Sequence, residues 1–170
     1  MRTTISAIAV LLLSACGSPS NTATTAPDAP AKIYKMGEMA SAKGLDFTVT
    51  KAEQRGFLGA AGQGFKAEAG ETFVVVNYTL KNTSGEALPL FDRPEVSLKD
   101  AGGHSYAKDD AGSMMAGTMM MKDPSGMSSD LNPGVSAKTA AAWKISKAAY
   151  DSGPWTVVID ASPALTFKLK

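Results

Sequence analysis

The sequence predicts an all-β fold, an antiparallel immunoglobulin-like sandwich of about seven to eight strands. Three observations point there. Apolar residues recur with period two rather than 3.6, they do so in short runs, and Gly, Pro, Asn and Asp separate the runs at fairly regular spacing. At 170 residues, 44% hydrophobic and 19% charged, the chain can bury one ordinary core and is too short for two full-sized domains. A closed barrel is the alternative architecture. The Cys and Trp spacing of antibody domains is missing, so strand count and pattern carry the prediction.

In Leu45-Asp46-Phe47-Thr48-Val49-Thr50 the odd positions are apolar and the even ones polar, a half-buried strand. Thr72 to Leu80 is more apolar: Val74, Val76, Tyr78 and Leu80 share one face and Phe73 and Val75 the other, as in a central strand covered on both sides over its first half. Asn82-Thr83-Ser84-Gly85 supplies a turn. Glu95 to Lys99 alternates again, and the turn Asp100 to His104 leads to Ser105-Tyr106, so a hairpin fits. Asn132-Pro133-Gly134 opens a long run to Ile145 with Val135, Ala137, Ala141, Trp143 and Ile145 on one face. The last strands are Trp155 to Ile159 and Leu165 to Leu169, with a single possible helical turn at Lys147 to Asp151 before them. No internal repeat is evident.

Ahead of the folded region, Met1-Arg2-Thr3-Thr4 carries one positive side chain and is followed by an apolar run from Ile5 to Leu13. This is a signal-peptide layout, covering residues 1–15. Nine helical residues rise about 13 Å, well short of the roughly 30 Å hydrocarbon core, so the run does not span a membrane. It ends in Leu13-Ser14-Ala15-Cys16, which resembles the lipobox of bacterial lipoproteins. That resemblance implies a diacylglycerol on the Cys16 sulfur, cleavage before it, and a new amino group open to acylation. The plain alternative is a thiol in a conventionally secreted protein. Gly17 follows the cysteine, and in a Gram-negative cell the absence of Asp there implies sorting to the outer membrane, facing the periplasm. Residues 17–31 hold three Pro, much Thr and Ala, and one charge, a composition that cannot bury enough surface to fold. As an extended tether they reach roughly 45 Å. The folded unit is expected over residues 32–170.

Within it a family resemblance emerges from about Met36 to Ile159. Its residues are Met36-Gly37-Glu38, the strand Gly44 to Thr50, the strand Glu71 to Thr83, the turn Asp100-Ala101-Gly102-Gly103-His104-Ser105-Tyr106, and Asn132-Pro133-Gly134 before a strand ending in Trp143. In order and spacing these are similar to domain of unknown function family 4352, bacterial immunoglobulin-like lipoproteins and secreted proteins. The resemblance implies a cell-envelope sandwich without a known reaction or catalytic residues to carry over. Two inserts depart from the family's pattern, 56–70 and 111–131, and a function peculiar to this chain is expected there.

The second insert holds Met114, Met115, Met119, Met120, Met121 and Met127, six of the chain's nine methionines. Thioethers are soft, unprotonated donors that favour Cu(I), and Ag(I) behaves similarly, so these six are candidate metal ligands with His104 as a nitrogen donor. Set against that, methionine is an adaptable apolar residue suited to capping a sandwich or touching a partner. Low-complexity drift and a sacrificial trap for oxidants are further readings. The four Asp around this insert, Asp109, Asp110, Asp123 and Asp130, lack the alternation of a Ca²⁺ loop. In the first insert Gly56, Gly59, Gly62 and Gly64 make a flexible loop without a phosphate-cradling ending. Phe57, Leu58 and Phe65 in that loop are candidates for an exposed partner-binding patch, or else fold back onto the sandwich edge. His104 has no evident Ser or Asp partner and reads as a solvated turn residue. The glycosylation-like Asn77-Tyr78-Thr79 and Asn82-Thr83-Ser84 read as chance.

With 17 basic against 16 acidic side chains and no run of like charge, nucleic acid is excluded as a partner class. A single His and a single Cys exclude a multi-His or multi-Cys zinc site, a redox pair and an internal disulfide. No constellation meets the requirements for nucleophile, base and orienting group, so no catalysis is expected. The function expected first is a lipid-anchored envelope domain that binds a protein or another envelope component. A Cu(I)/Ag(I)-binding lipoprotein is the alternative.

Overall fold

The computed structural model describes residues 32–60, 62–120 and 129–170. The signal segment, Cys16, the tether, Asp123, Met121 and Met127 lie outside the described residues. Two sheets face one another. The first runs in the order β1 (Ile33–Lys35), β11 (Leu165–Lys168), β10 (Thr156–Ile159), β7 (Val96–Lys99), β8 (Ser105–Tyr106). The second runs β2 (Met39–Ala42), β3 (Leu45–Arg55), β6 (Glu71–Asn82), β9 (Ser136–Ser146). A separate ribbon pairs β4 (Phe57–Ala60) with β5 (Gln63–Lys66). Helix α1 (Asp110–Met120) follows β8, and α2 (Lys147–Ser152) follows β9.

The period-two pattern dictates the core. Phe47, Val49, Val74, Val76 and Trp143 from one sheet meet Leu98, Trp155, Val157, Ile159 and Phe167 from the other, all of them buried. The central position of β6 explains its near-continuous apolar run. Val74 and Val76 enter this core, while Phe73 and Val75, on the opposite face, are also buried, in a second cluster with Leu58, Ala116, Ala140 and Ala142. In β3 a bulge between Val49 and Lys51 resets the alternation. Without it Lys51 would face the core; with it, Ala52 does.

One end of the sandwich is closed by α2. The Ser146 hydroxyl caps it from Ala149 N–H at 3.4 Å, and Tyr150 packs its ring 5.4 Å from that of Trp155, whose indole N–H donates to the Tyr150 carbonyl at 3.0 Å. Near the opposite turn, Asn82 is fully buried with every polar atom engaged: its amide donates to the Glu86 and Leu131 carbonyls, each at 2.7 Å, and its oxygen accepts from Ser84. Both Asn77, at 4% exposure, and Asn82 are thus closed to a glycan.

The β-sandwich stands, with four corrections of detail. There are eleven strands among the described residues instead of seven to eight, because β1, β2, β4 and β5 are too short or too glycine-rich to show an alternation. The pairing is not wholly antiparallel: β1 lies parallel to β11 with Tyr34 beside Phe167. The first insert is the β4–β5 ribbon and not a flexible loop, and the second begins as a helix. Val135 does not join the core face; it precedes β9 and is half exposed.

Candidate functional site

The ribbon of the first insert and the helix of the second lie on the outward face of the β3–β6–β9 sheet, where they meet. In the ribbon, Gly59 stands across from Gly64, with φ of +137° and +159°. A Cβ on Gly59 would sit 2.2 Å from the Gln63 carbonyl oxygen, and one on Gly64 would sit 2.1 Å from that of Leu58. Only glycine permits this approach. The Phe57 ring lies over the space a Gly64 side chain would fill.

Helix α1 starts at a cap that the sequence does contain. Asp109 accepts the Gly112 N–H at 2.8 Å, and its own N–H donates to the Ala142 carbonyl at 2.8 Å, fixing the helix start to β9. Ser113 then takes the Ala142 N–H at 2.9 Å, so the open edge of β9 is satisfied by the helix and not by another strand. Gly112 and Ala116 are small, which lets the helix lie close to Ala140 and Ala142; Leu58 fills the angle between helix and sheet and is fully buried.

The predicted partner-binding set therefore divides. Leu58 is core, correcting its place in an exposed patch, because α1 covers it. Phe57 and Phe65 remain about two-fifths exposed (40% and 42%). Of the methionines, Met115 packs against the Leu58–Phe73–Val75 cluster, Met114 and Met119 are exposed at 64% and 45%, and Met120 ends the helix. Met119 reaches the ribbon: its Sδ accepts the Gly59 N–H at 3.1 Å. The result is one apolar shelf, built from both inserts, that no other element covers among the described residues.

His104 belongs to a different place. The sequence shows it no acidic partner, yet Asp100, four residues earlier, holds it: the carboxylate accepts the His104 N–H at 2.9 Å, ring Nδ1 at 3.0 Å and the Tyr106 hydroxyl at 3.1 Å. The signal was the spacing itself, since an Asp opening a tight turn bonds back to the turn's own donors. Asp109 caps α1, Asp110 pairs with Lys108 at 3.3 Å, and Asp130 accepts the Leu90 N–H at 3.2 Å, so these carboxylates are separately engaged. Among the described residues no group of three His, Cys, Asp or Glu side chains could hold a metal ion. A groove of about 480 Å³ opens elsewhere, beside Lys43, Glu86, Asp92 and Asp160, and none of the predicted residues lines it.

At Asp100 desolvation pushes the carboxyl upward, but the hydrogen bonds from His104 and Tyr106 outweigh it and hold the group below the usual carboxylate range. A group with a depressed folded value stabilises the fold above its ordinary value and loses that contribution as pH falls through the folded one. The β7–β8 turn is thus expected to lose amide protection, after correction for intrinsic exchange, as pH drops from about 5 toward 3. In Asp100→Asn the same amides are expected to be less protected at pH 6 and to show no acid step. A parent turn whose protection is flat across that range contradicts the assignment.

Residues 34–163 match the family model described as a domain of unknown function (DUF4352). The uncharacterized protein YxkC of Bacillus subtilis (strain 168) is 37% identical over 124 residues, 73% of this chain and 69% of that protein. Among solved structures, a conserved hypothetical protein from Bacillus anthracis superposes with a TM-score of 0.66 at 24% identity, over 82% of this chain and 96% of that one. An uncharacterized β-sandwich protein from Clostridium difficile 630 does so with a TM-score of 0.57 at 15% identity, again over 82% and 96%. At those identities the structural likeness is one of fold.

Proposed function

The chain belongs to the DUF4352 family, and from that premise we propose that it is a lipid-anchored domain of the bacterial envelope that acts by binding, through the shelf its two inserts form. The observation that carries this reading is the convergence of the inserts. The β4–β5 ribbon and α1, far apart in sequence, fold onto one face of the sandwich and leave Phe57, Phe65, Met114 and Met119 exposed. Exposed apolar side chains gathered on a rigid, hydrogen-bonded platform are the form a protein-recognition surface takes. The partner class that suits it is an envelope protein, or another envelope component with an apolar face. Methionine adds an adaptable contact to the rigid phenylalanine rings.

Anchoring is read from Leu13-Ser14-Ala15-Cys16, with the Pro/Thr/Ala-rich tether holding the sandwich clear of the headgroups. In a Gram-negative cell Gly17 directs the lipid to the outer membrane, and the shelf then faces the periplasm.

Photo-crosslinking in intact cells tests the binding face. A photoreactive residue in place of Phe65 or Met114 is expected to give a discrete adduct that one in place of Lys168, exposed on β11, does not give. Adducts indistinguishable from a tag-only control, or equal at all three positions, sink the proposal.

A further inference from the structure

Met119 differs from the other exposed methionines in what its sulfur does. Met36, Met39 and Met114 are 42%, 63% and 64% exposed, and none of their sulfurs takes a hydrogen bond among the described residues. Met119, at 45%, is just as open to a small reagent, yet its Sδ accepts the Gly59 N–H at 3.1 Å. Among the described residues this is the one hydrogen bond between the ribbon and α1. The remainder of that junction is van der Waals packing around Leu58, so close to α1 that a Cβ on Gly112 would stand 3.4 Å from its Cδ1.

We propose that Met119 is an oxidation site whose modification releases α1 from the β4–β5 ribbon. The oxidant is hydrogen peroxide or another two-electron oxidant. One peroxide oxygen bonds to Sδ as the O–O bond breaks; the sulfur gives up two electrons, and the other oxygen, taking the proton from the first, leaves as water. The product is the sulfoxide, which the methionine sulfoxide reductases return to the thioether.

The present hydrogen bond does not survive that oxygen. In the sulfoxide the sulfur is electropositive and the acceptor is the oxygen, which occupies the lone pair not engaged by the Gly59 N–H, so Sδ no longer accepts the bond it now takes at 3.1 Å. Within the ribbon, Gly59 is in close backbone contact with Gln63 and Gly64, which fixes the direction of its N–H. The helix must therefore move to bring the oxygen to that N–H, or the bond is lost. In either case the cover over Leu58, Phe73 and Val75 loosens, and these three are otherwise shielded from water. This inference does not depend on the partner proposed above, since sulfoxide formation and helix release are read on the protein alone.

The full chain, purified in detergent, is exposed to graded hydrogen peroxide. Peptide mass spectrometry then places each sulfoxide, and amide exchange follows residues 56–66 and 110–120. Met119 is expected to oxidise within a few-fold of the rate at Met39. Exchange in the two segments is expected to rise about fivefold, the change in open population that one lost hydrogen bond produces. Met119→Leu keeps the volume and removes the sulfur; under peroxide its two segments are expected to stay protected while Met36, Met39 and Met114 oxidise. Met114→Leu is expected to respond like the parent. The proposal fails if Met119 stays reduced after Met39 is fully converted, if its sulfoxide leaves exchange unchanged, or if Met119→Leu loosens under peroxide as the parent does.

Discussion

Trp143→Ala is expected to destabilise the domain by about 3–5 kcal/mol, the range for deleting a fully buried tryptophan. Trp143 has no exposed surface and faces the core from the middle of β9, against the strands of the opposite sheet. Its indole N–H donates to the Tyr106 carbonyl at 3.0 Å, so the same side chain that fills the core also joins β9 to β8 across the sandwich. Truncation leaves a cavity between two sheets that cannot collapse independently, and it orphans a carbonyl worth about another 1 kcal/mol. Against a total stability of about 5–15 kcal/mol for a domain, the variant should unfold measurably at 37 °C, with a midpoint lowered by roughly 15 °C. Trp143→Phe separates the two contributions. It retains most of the ring volume and is expected to lose about 1–2 kcal/mol. Chemical denaturation of all three forms checks this, and a loss below 1 kcal/mol in the alanine variant would show that the two sheets do not depend on this contact.

That contact was visible in the sequence only by half. The alternation from Ala137 through Ala141 and Trp143 to Ile145 places the tryptophan inside, because a half-buried strand repeats every two residues. Nothing local names Tyr106 as the acceptor, since the partner lies on another strand and the pairing is a property of the packed sheets. The same division runs through the fold. β6 and β9 are long enough for their patterns to speak, and the doubly apolar first half of β6 anticipated a second covered face. β1 and β2, at three and four residues, are too short to carry a period. The bulge in β3 hides Ala52 from any reading that assumes strict alternation past Val49.

The candidate site was legible as composition and illegible as shape. Glycines at 56, 59, 62 and 64 look like freedom in a sequence, yet two of them are where backbones touch in a ribbon that a Cβ would prise apart. Methionine, glycine and alanine from 111 to 120 look like low complexity, because the amphipathic contrast that marks a surface helix is missing. The helix forms because Asp109 caps it and because small residues fit against Ala140 and Ala142, whose own outward position only the β6 register reveals. A capping Asp before an unbroken stretch without Pro or β-branched residues, up to Thr118, was the one local cue.

Cys16→Ser is expected to move the protein from the membrane fraction to the soluble fraction almost completely. The prediction follows from the arithmetic of acyl anchors. One chain gives only marginal, reversible attachment, on the order of 10⁴ M⁻¹, whereas the two or three chains that a lipobox cysteine carries hold a protein stably. If Arg2 leaves with a cleaved signal, basic and acidic side chains are equal in number, and no polybasic run supplies a second, electrostatic anchor. Among the described residues, moreover, no helix is long and apolar enough to cross a membrane. Serine leaves the small-residue motif nearly intact while removing the sulfur that the proposed lipidation requires. The thermal midpoint of the sandwich should be unchanged, because the first strand begins at Ile33, well beyond the substituted position. That invariance makes the outcome readable: a Cys16→Ser protein that is folded, still processed and still sediments with membranes would exclude lipid as the anchor. A folded, soluble one that no longer yields the Phe65 adduct would show that the shelf meets its partner only when the tether holds it at the membrane.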